Sequence, residues 1–241
     1  MTLPDSFPRP VKETGDVEFT RVVRSTGDPE MLRLDLYHPP TDYIGARPAI
    51  LWFHGGGFQP GNDKRQRYIP QLARAFAVRG YVCIAPDYRV RTTPSDNWQE
   101  TVSDAVADGR AALEWVLENC AAYNIDPQKI LLAGGSAGAM LAINLAASLQ
   151  GNNVRAVLNL WGTPPPEIRL FDAPGEDFPP TFIVHGTADR LVPYELSMNF
   201  VSELAHAGVR HEFLTLPDAP HTPLAHLEQI IHAMANFLEE I

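Results

Sequence analysis

The chain has 241 residues, 45% of them hydrophobic and 20% charged, with a formal net charge of −10. This composition excludes wholesale disorder and a disulfide-stapled miniprotein, and it leaves room for one large core. An acidic surface repels phosphate backbones, so nucleic acid is not an expected partner, and no apolar run approaches the ~18 residues of a membrane span.

Met1–Pro10 carries neither a basic n-region nor an apolar h-region. The expected location is therefore cytoplasmic, or outside the cell if a leader has been removed. Glu18–Arg24 and Met31–Tyr37 alternate apolar and polar side chains around the turn Gly27-Asp28-Pro29, which predicts an antiparallel pair with one wet face. The period then changes. Continuous apolar runs follow at Ala49–Phe53, Tyr81–Ala85, Ile130–Ala133, Val154–Leu160, Thr181–Val184 and Glu212–Leu216. Between them lie helical patterns near Arg67–Arg79, Asn97–Tyr123, Ala137–Ser148, Tyr194–Ala207 and Pro223–Glu240. Strands apolar on both faces and separated by helices predict a mostly parallel sheet covered on both sides, with an antiparallel N-terminal edge. One α/β domain over residues 1–241 is expected, with 161–180 as a short loop insertion near the site rather than a large lid. Cys83 reads as a small buried hydrophobe and Cys120 as a residue near a helix end. Neither has metal-ligand spacing, and no disulfide or metal is expected.

Ligands of such sheets bind beyond the carboxyl ends of the strands, so the residues after each apolar run are the ones to read for chemistry. Gly134-Gly135-Ser136-Ala137-Gly138 fits G-x-S-x-G between a strand and a helix, the context of a nucleophile elbow. Alone it is a weak signal, arising by chance roughly 0.1 times in a chain of this length. His54-Gly55-Gly56-Gly57, after an earlier strand, is far rarer. Glycine N–H groups there, with that of Ala137, could bind the oxyanion of a tetrahedral intermediate. His54 itself is expected to brace the loop, and His185 to be a strand-end residue rather than a base.

A serine hydroxyl needs a base, and the base needs a carboxylate to fix its tautomer. The elbow predicts the chain order Ser, acid, His. Asp189 follows the run Thr181–Val184 and His221 follows Glu212–Leu216, both on the correct rim. Asp172, Glu176 and Asp177 precede their strand, and Asp218 reads as a turn residue. His226 and His232 fall in the last helix, and His206 and His211 flank the opposite rim.

His54–Phe58, Pro86–Arg89, Asn124–Pro127, Gly134–Gly138, His185–Pro193 and His221 carry a resemblance to the α/β-hydrolase superfamily. Within it the chain resembles serine esterases of the hormone-sensitive-lipase-like type and small microbial acetyl and feruloyl esterases with an H-G-G-G loop. The resemblance implies Ser136, Asp189 and His221 as the triad, Gly56, Gly57 and Ala137 as oxyanion donors, and no cofactor. Phe58 and Trp161 are candidate pocket walls, with core residues as the alternative. The elbow has glycine where hormone-sensitive-lipase-like enzymes usually have aspartate, and the segment 161–180 is short. Both favour an open-sited carboxylesterase for short-chain, small-molecule esters over a lipase. An arylformamidase-like amidase uses the same constellation, and a non-catalytic binding module is the alternative from another class. The residues set no oligomeric state.

Overall fold

Among the described residues, eight strands form one sheet in the order β1-β2-β4-β3-β5-β6-β7-β8. They are β1 (Lys12–Val23), β2 (Pro29–His38), β3 (Arg47–Phe53), β4 (Val82–Pro86), β5 (Ile125–Gly135), β6 (Val154–Leu160), β7 (Thr181–Gly186) and β8 (His211–Leu216). The computed structural model describes residues 11–40, 45–149 and 154–241, so the reading of Met1–Pro10 falls outside the described residues. β1 and β2 are antiparallel, as are β2 and β4, and every later pair is parallel.

β1 starts earlier than its alternating pattern implied. Lys12–Thr14 pair with Leu36–His38, but the register slips between Thr14 and Val17, and again between Glu18 and Thr20. Asp16 sits in the first slip with φ 57°, and its N–H donates to Asp35 Oδ1 at 2.8 Å. A bulge of this kind breaks the period of two, so periodicity alone does not reveal the first half of the strand. β5 also runs further than its apolar core, because Gly134 and Gly135 still pair with Asn159 and Leu160.

Among the described residues, the α-helices are α1 (Tyr68–Ala77), α2 (Trp98–Glu118), α3 (Cys120–Tyr123), α4 (Ala137–Ser148), α5 (Tyr194–His206) and α6 (Leu227–Glu239). The side chain of Asn97 caps α2 by accepting from the Glu100 N–H at 3.1 Å. The long pattern expected from Asn97 to Tyr123 is split at Asn119, whose side-chain amide donates to the Trp115 carbonyl at 2.8 Å and closes the first helix. Asn124 then ends α3 in the left-handed conformation, φ 53°. Buried residues on the two faces of the sheet form two cores. Leu51 and Phe53 face α2, α4 and α5; Ile50 and Trp52 face α1 and α6. α4 is buried along nearly its whole length, as an apolar helix between a sheet and a second helix must be. Cys83 lies in the second core, where burial pushes its thiol up to about 12. No helix among the described residues is long and apolar enough to cross a membrane.

The register fixes where chemistry can occur. Phe53 pairs with Gly134, Gly135 with Leu160, Leu160 with Val184, and Gly186 with Leu216. The residues that follow β3, β5, β7 and β8 therefore emerge along one rim.

Candidate active site

Ser136 joins β5 to α4 with φ 55° and ψ −125°, outside the regions that L-residues ordinarily occupy. The surroundings hold it there. A Cβ on Gly134 would lie 2.4 Å from the Gly138 carbonyl carbon, and one on Gly138 would lie 2.1 Å from the Phe53 carbonyl oxygen. Only glycine allows α4 to start this close to the sheet. The Ser136 N–H donates to the Leu160 carbonyl at 2.9 Å, and its carbonyl accepts from Ala139 and Met140. The hydroxyl is left pointing off the rim at the helix N-terminus.

His221 Nε2 lies 3.0 Å from Ser136 Oγ, and Nδ1 lies 2.7 Å from Asp189 Oδ2. Asp189 is an acceptor, so Nδ1 carries the proton and the Nε2 lone pair faces the serine. The Asp189 side chain is fully buried, and Oδ1 accepts from the N–H groups of Leu191 and Val192 at 2.8 and 3.0 Å. Burial works to raise the proton affinity of this carboxyl. The hydrogen bonds from His221 and the two N–H groups outweigh it and hold the group below the usual aspartate range. Asp218 is exposed, with φ 56°, and its N–H donates to Thr187 Oγ1 at 2.8 Å. Glu176 and Asp177 line cavities other than the cleft at Ser136.

The turn after β3 is held differently. Gly56, Gly57 and Phe58 all have positive φ, at 111°, 61° and 59°. The Gly55 N–H is taken by Gln66 Oε1 at 2.7 Å. The Tyr88 hydroxyl donates to the His54 carbonyl at 2.7 Å, and its ring stacks on the His54 imidazole at 4.2 Å. The Arg91 N–H donates to the Phe58 carbonyl at 2.8 Å. Asp87 holds Lys64 through both backbone N–H and Nζ, and Arg89 grips the buried Asp108 of α2. The segment 86–89 is thus the scaffold of the glycine loop. Its place after β4 and its share in the family resemblance were the sequence signals for it; Gln66, in a loop before α1, offered none. Gly56, Gly57 and Ala137 line the cleft beside Ser136.

That cleft has a volume of about 700 Å³, and its walls are mostly apolar: Phe58, Trp98, Met140, Ile168, Leu191 and Val192. Phe58 touches the cleft and is at the same time a buried core residue, edge-on to Trp98 at 6.5 Å. Trp161, for which wall and core were the two alternatives, does not line the cleft. It is fully buried in the α1/α6 core, with φ 45° and its N–H bound to the Val184 carbonyl. Tyr68, packed edge-on against Trp161 at 5.5 Å, lines the cleft in its place. A position after a strand identifies the rim but not the direction of the side chain.

A mostly parallel eight-stranded sheet, opened by an antiparallel hairpin and carrying its serine on a strained strand-to-helix turn, is the α/β-hydrolase fold. The chain belongs to the BD-FAE family, whose model matches residues 34–160, and a Prolyl oligopeptidase family model matches residues 171–241. It is 29% identical to esterase 2 of Thermogutta terrifontis, solved phosphonylated by cyclosarin, with a TM-score of 0.76 over 100% of this chain and 97% of that one. A butyrate-bound structure of a thermophilic esterase from the same species is 28% identical, with a TM-score of 0.70, covering 92% of this chain and 94% of that one. Esterase LipQ of Mycobacterium tuberculosis is 28% identical over 233 residues, covering 78% of this chain and 53% of that protein. The chain spans about half the length of the curated relatives it matches first.

Proposed function

We propose that the protein is a carboxylesterase that hydrolyses short-chain acyl esters through an acyl-enzyme on Ser136. The observation that carries this reading is the continuous line from Ser136 Oγ through the His221 ring to Asp189, with spacings of 3.0 and 2.7 Å. His221 Nε2 takes the serine proton as Oγ attacks the ester carbonyl carbon. The carbonyl oxygen gains the negative charge, and the N–H groups of Gly56, Gly57 and Ala137 stabilise it. Nε2 then gives its proton to the departing alcohol. Water repeats the sequence on the acyl-enzyme and releases the acid. Asp189 stays ionised throughout, fixing the imidazole and stabilising its charged form.

The cleft supports the short-chain reading. Leu191 at its mouth is 75% exposed. An acyl chain reaching past it stays in water and forgoes the ~0.8 kcal/mol that each buried CH₂ would contribute. The butyrate-bound relative supports the same reading. The test is a series of nitrophenyl esters from acetyl to dodecanoyl. We expect kcat/KM to peak between acetyl and butyryl and to be lost in Ser136→Ala by a factor on the order of 10⁴–10⁶. A Ser136→Ala protein retaining a tenth of the activity would overturn the nucleophile. A peak at dodecanoyl would overturn the short-chain assignment, and faster turnover of an aryl formamide than of any ester would make the enzyme an amidase.

A further inference from the structure

We propose that His185 is a positioning residue for Asp189, an inference that rests on the triad reading above. His185 is the penultimate residue of β7 and is completely buried. Its Nε2 lies 3.0 Å from Asp189 Oδ2 and 3.1 Å from the Val192 carbonyl. Both are acceptors, so Nε2 carries a proton and shares it between them. Burial pushes the ring below the usual histidine range, against the pull of Asp189, so it holds only that one proton and Nδ1 is a bare lone pair. Ser197 Oγ, on α5, sits 2.7 Å from Nδ1 and must donate to it.

The polarity then propagates. Ser197 has given its only hydroxyl proton, so it accepts from Thr163 Oγ1 at 2.7 Å. Thr163 in turn accepts from Asn159 Nδ2 at 2.9 Å, and Asn159 Oδ1 accepts from the Gly162 N–H at 3.1 Å. Asn159, Thr163, Ser197 and His185 are all fully buried. The line has one sense, and it delivers an N–H to the same carboxylate oxygen that holds His221. With the two N–H groups on Oδ1, Asp189 receives four hydrogen bonds and cannot turn.

Removing the His185 N–H should leave Asp189 less fixed and more negative toward His221. A looser carboxylate lowers kcat. A more negative one favours the imidazolium form and moves the acid limb of the rate profile to higher pH. The titratable groups facing the His185 ring are Asp189 from the loop after β7, His221 from the loop after β8, and Tyr194 of α5, edge-on at 5.8 Å. Neither His185 nor Ser197 lines the cleft, so KM should hold.

The test compares His185→Phe, His185→Gln and Ser197→Ala in the full chain. His185→Phe keeps the ring volume without the N–H. It should lower kcat about tenfold with KM within about twofold, and shift the acid limb upward by about half a pH unit or more. His185→Gln restores a donor at the Nε2 position and should recover kcat to within about threefold. Ser197→Ala removes one oxygen, frees the ring to take the wrong tautomer and should fall between; it carries the expectation if His185→Phe does not fold. ¹⁵N spectra of the wild-type ring at pH 8, read without any turnover, should show Nε2 protonated and Nδ1 bare. An unchanged kcat and acid limb in His185→Phe, or a protonated Nδ1, would overturn the proposal. Equal losses in His185→Phe and His185→Gln would reduce the residue to packing, which also overturns it. If Ser136→Ala keeps wild-type turnover, the esterase reading fails. If turnover depends on Ser136 but not on His185, this inference alone fails.

Discussion

A Cβ on Gly138 would sit 2.1 Å from the Phe53 carbonyl oxygen, whereas one on Gly57 would meet nothing within 4 Å. The two turns hold glycine for different reasons. At the elbow, strand and helix backbones pack against each other and the glycines are missing volume. In the loop after β3, Gly56 and Gly57 supply positive φ, and the loop is tied down by side chains from elsewhere: Gln66, Tyr88 and, through the backbone, Arg91. The elbow is fixed by close backbone contacts with the ends of β3 and β6. The glycine loop is assembled from a distance, so its geometry can be loosened without breaking the sheet.

The largest effect expected from this contrast is on folding. Gly138→Ala forces Cβ into fixed backbone, and we expect a loss on the order of 4 kcal/mol or more, roughly 8–16 °C in Tm or failure to accumulate folded protein. Gly57→Ala has room and faces only the left-handed φ of 61°, for a cost of about 1–2 kcal/mol. Thermal melts of the two variants decide the matter. Equal losses would mean that the glycine loop is also held by backbone packing.

A smaller effect, on activity, comes from Gln66→Ala. It leaves the Gly55 N–H without the acceptor it meets at 2.7 Å, and so releases the segment that carries Gly56 and Gly57. Losing a whole oxyanion donor costs about 10²–10³ in kcat, so on the role proposed for Gly56 and Gly57 a partial displacement of that segment should cost about tenfold, with Tm down by only a few degrees. A drop in Tm with kcat/KM intact at 25 °C would show that Gln66 does not set the geometry of the loop.

The same contrast explains what could be read in the sequence. The order Ser136, Asp189, His221 was legible because topology places each after its own strand, and register brings those strand ends to one rim. The glycines of both turns were legible because they are local. The ties were not. Gln66 reaches Gly55, Arg89 reaches Asp108, and Ser197 reaches both Thr163 and His185, and no periodicity links such pairs. His185 was read as a strand end, which it is, but its N–H toward Asp189 depends on partners from three elements. Trp161 was left between wall and core because it follows β6, and its φ of 45° is a property that sequence position does not reveal.

The smallest effect concerns pH and again separates the two turns. Burial pushes His54, in the glycine loop, below the usual histidine range, partly offset by the hydrogen bond to the Gly55 carbonyl, which Nδ1 makes at 2.8 Å. Burial shifts His38 and His185 in the same direction. The unfolded chain takes up protons near the ordinary histidine pKa of about 6.5, while the folded protein refuses them until lower pH. Stability from these groups is therefore complete above about pH 7 and is lost as pH falls through 6.5 toward the folded values, with a slope of at most ~1.4 kcal/mol per pH unit for each histidine. The depressed Asp189 carboxyl adds a loss of the same sign only below about pH 4. His54→Asn keeps a donor toward the Gly55 carbonyl but does not titrate. It should be less stable than wild type at pH 8, because the stack on Tyr88 is gone, and should lose less on going from pH 7 to pH 5. The slope should shrink but not vanish, since His38 and His185 remain. Denaturant melts across that range measure it, and identical slopes for the two proteins would show that His54 is not what makes the loop acid-sensitive.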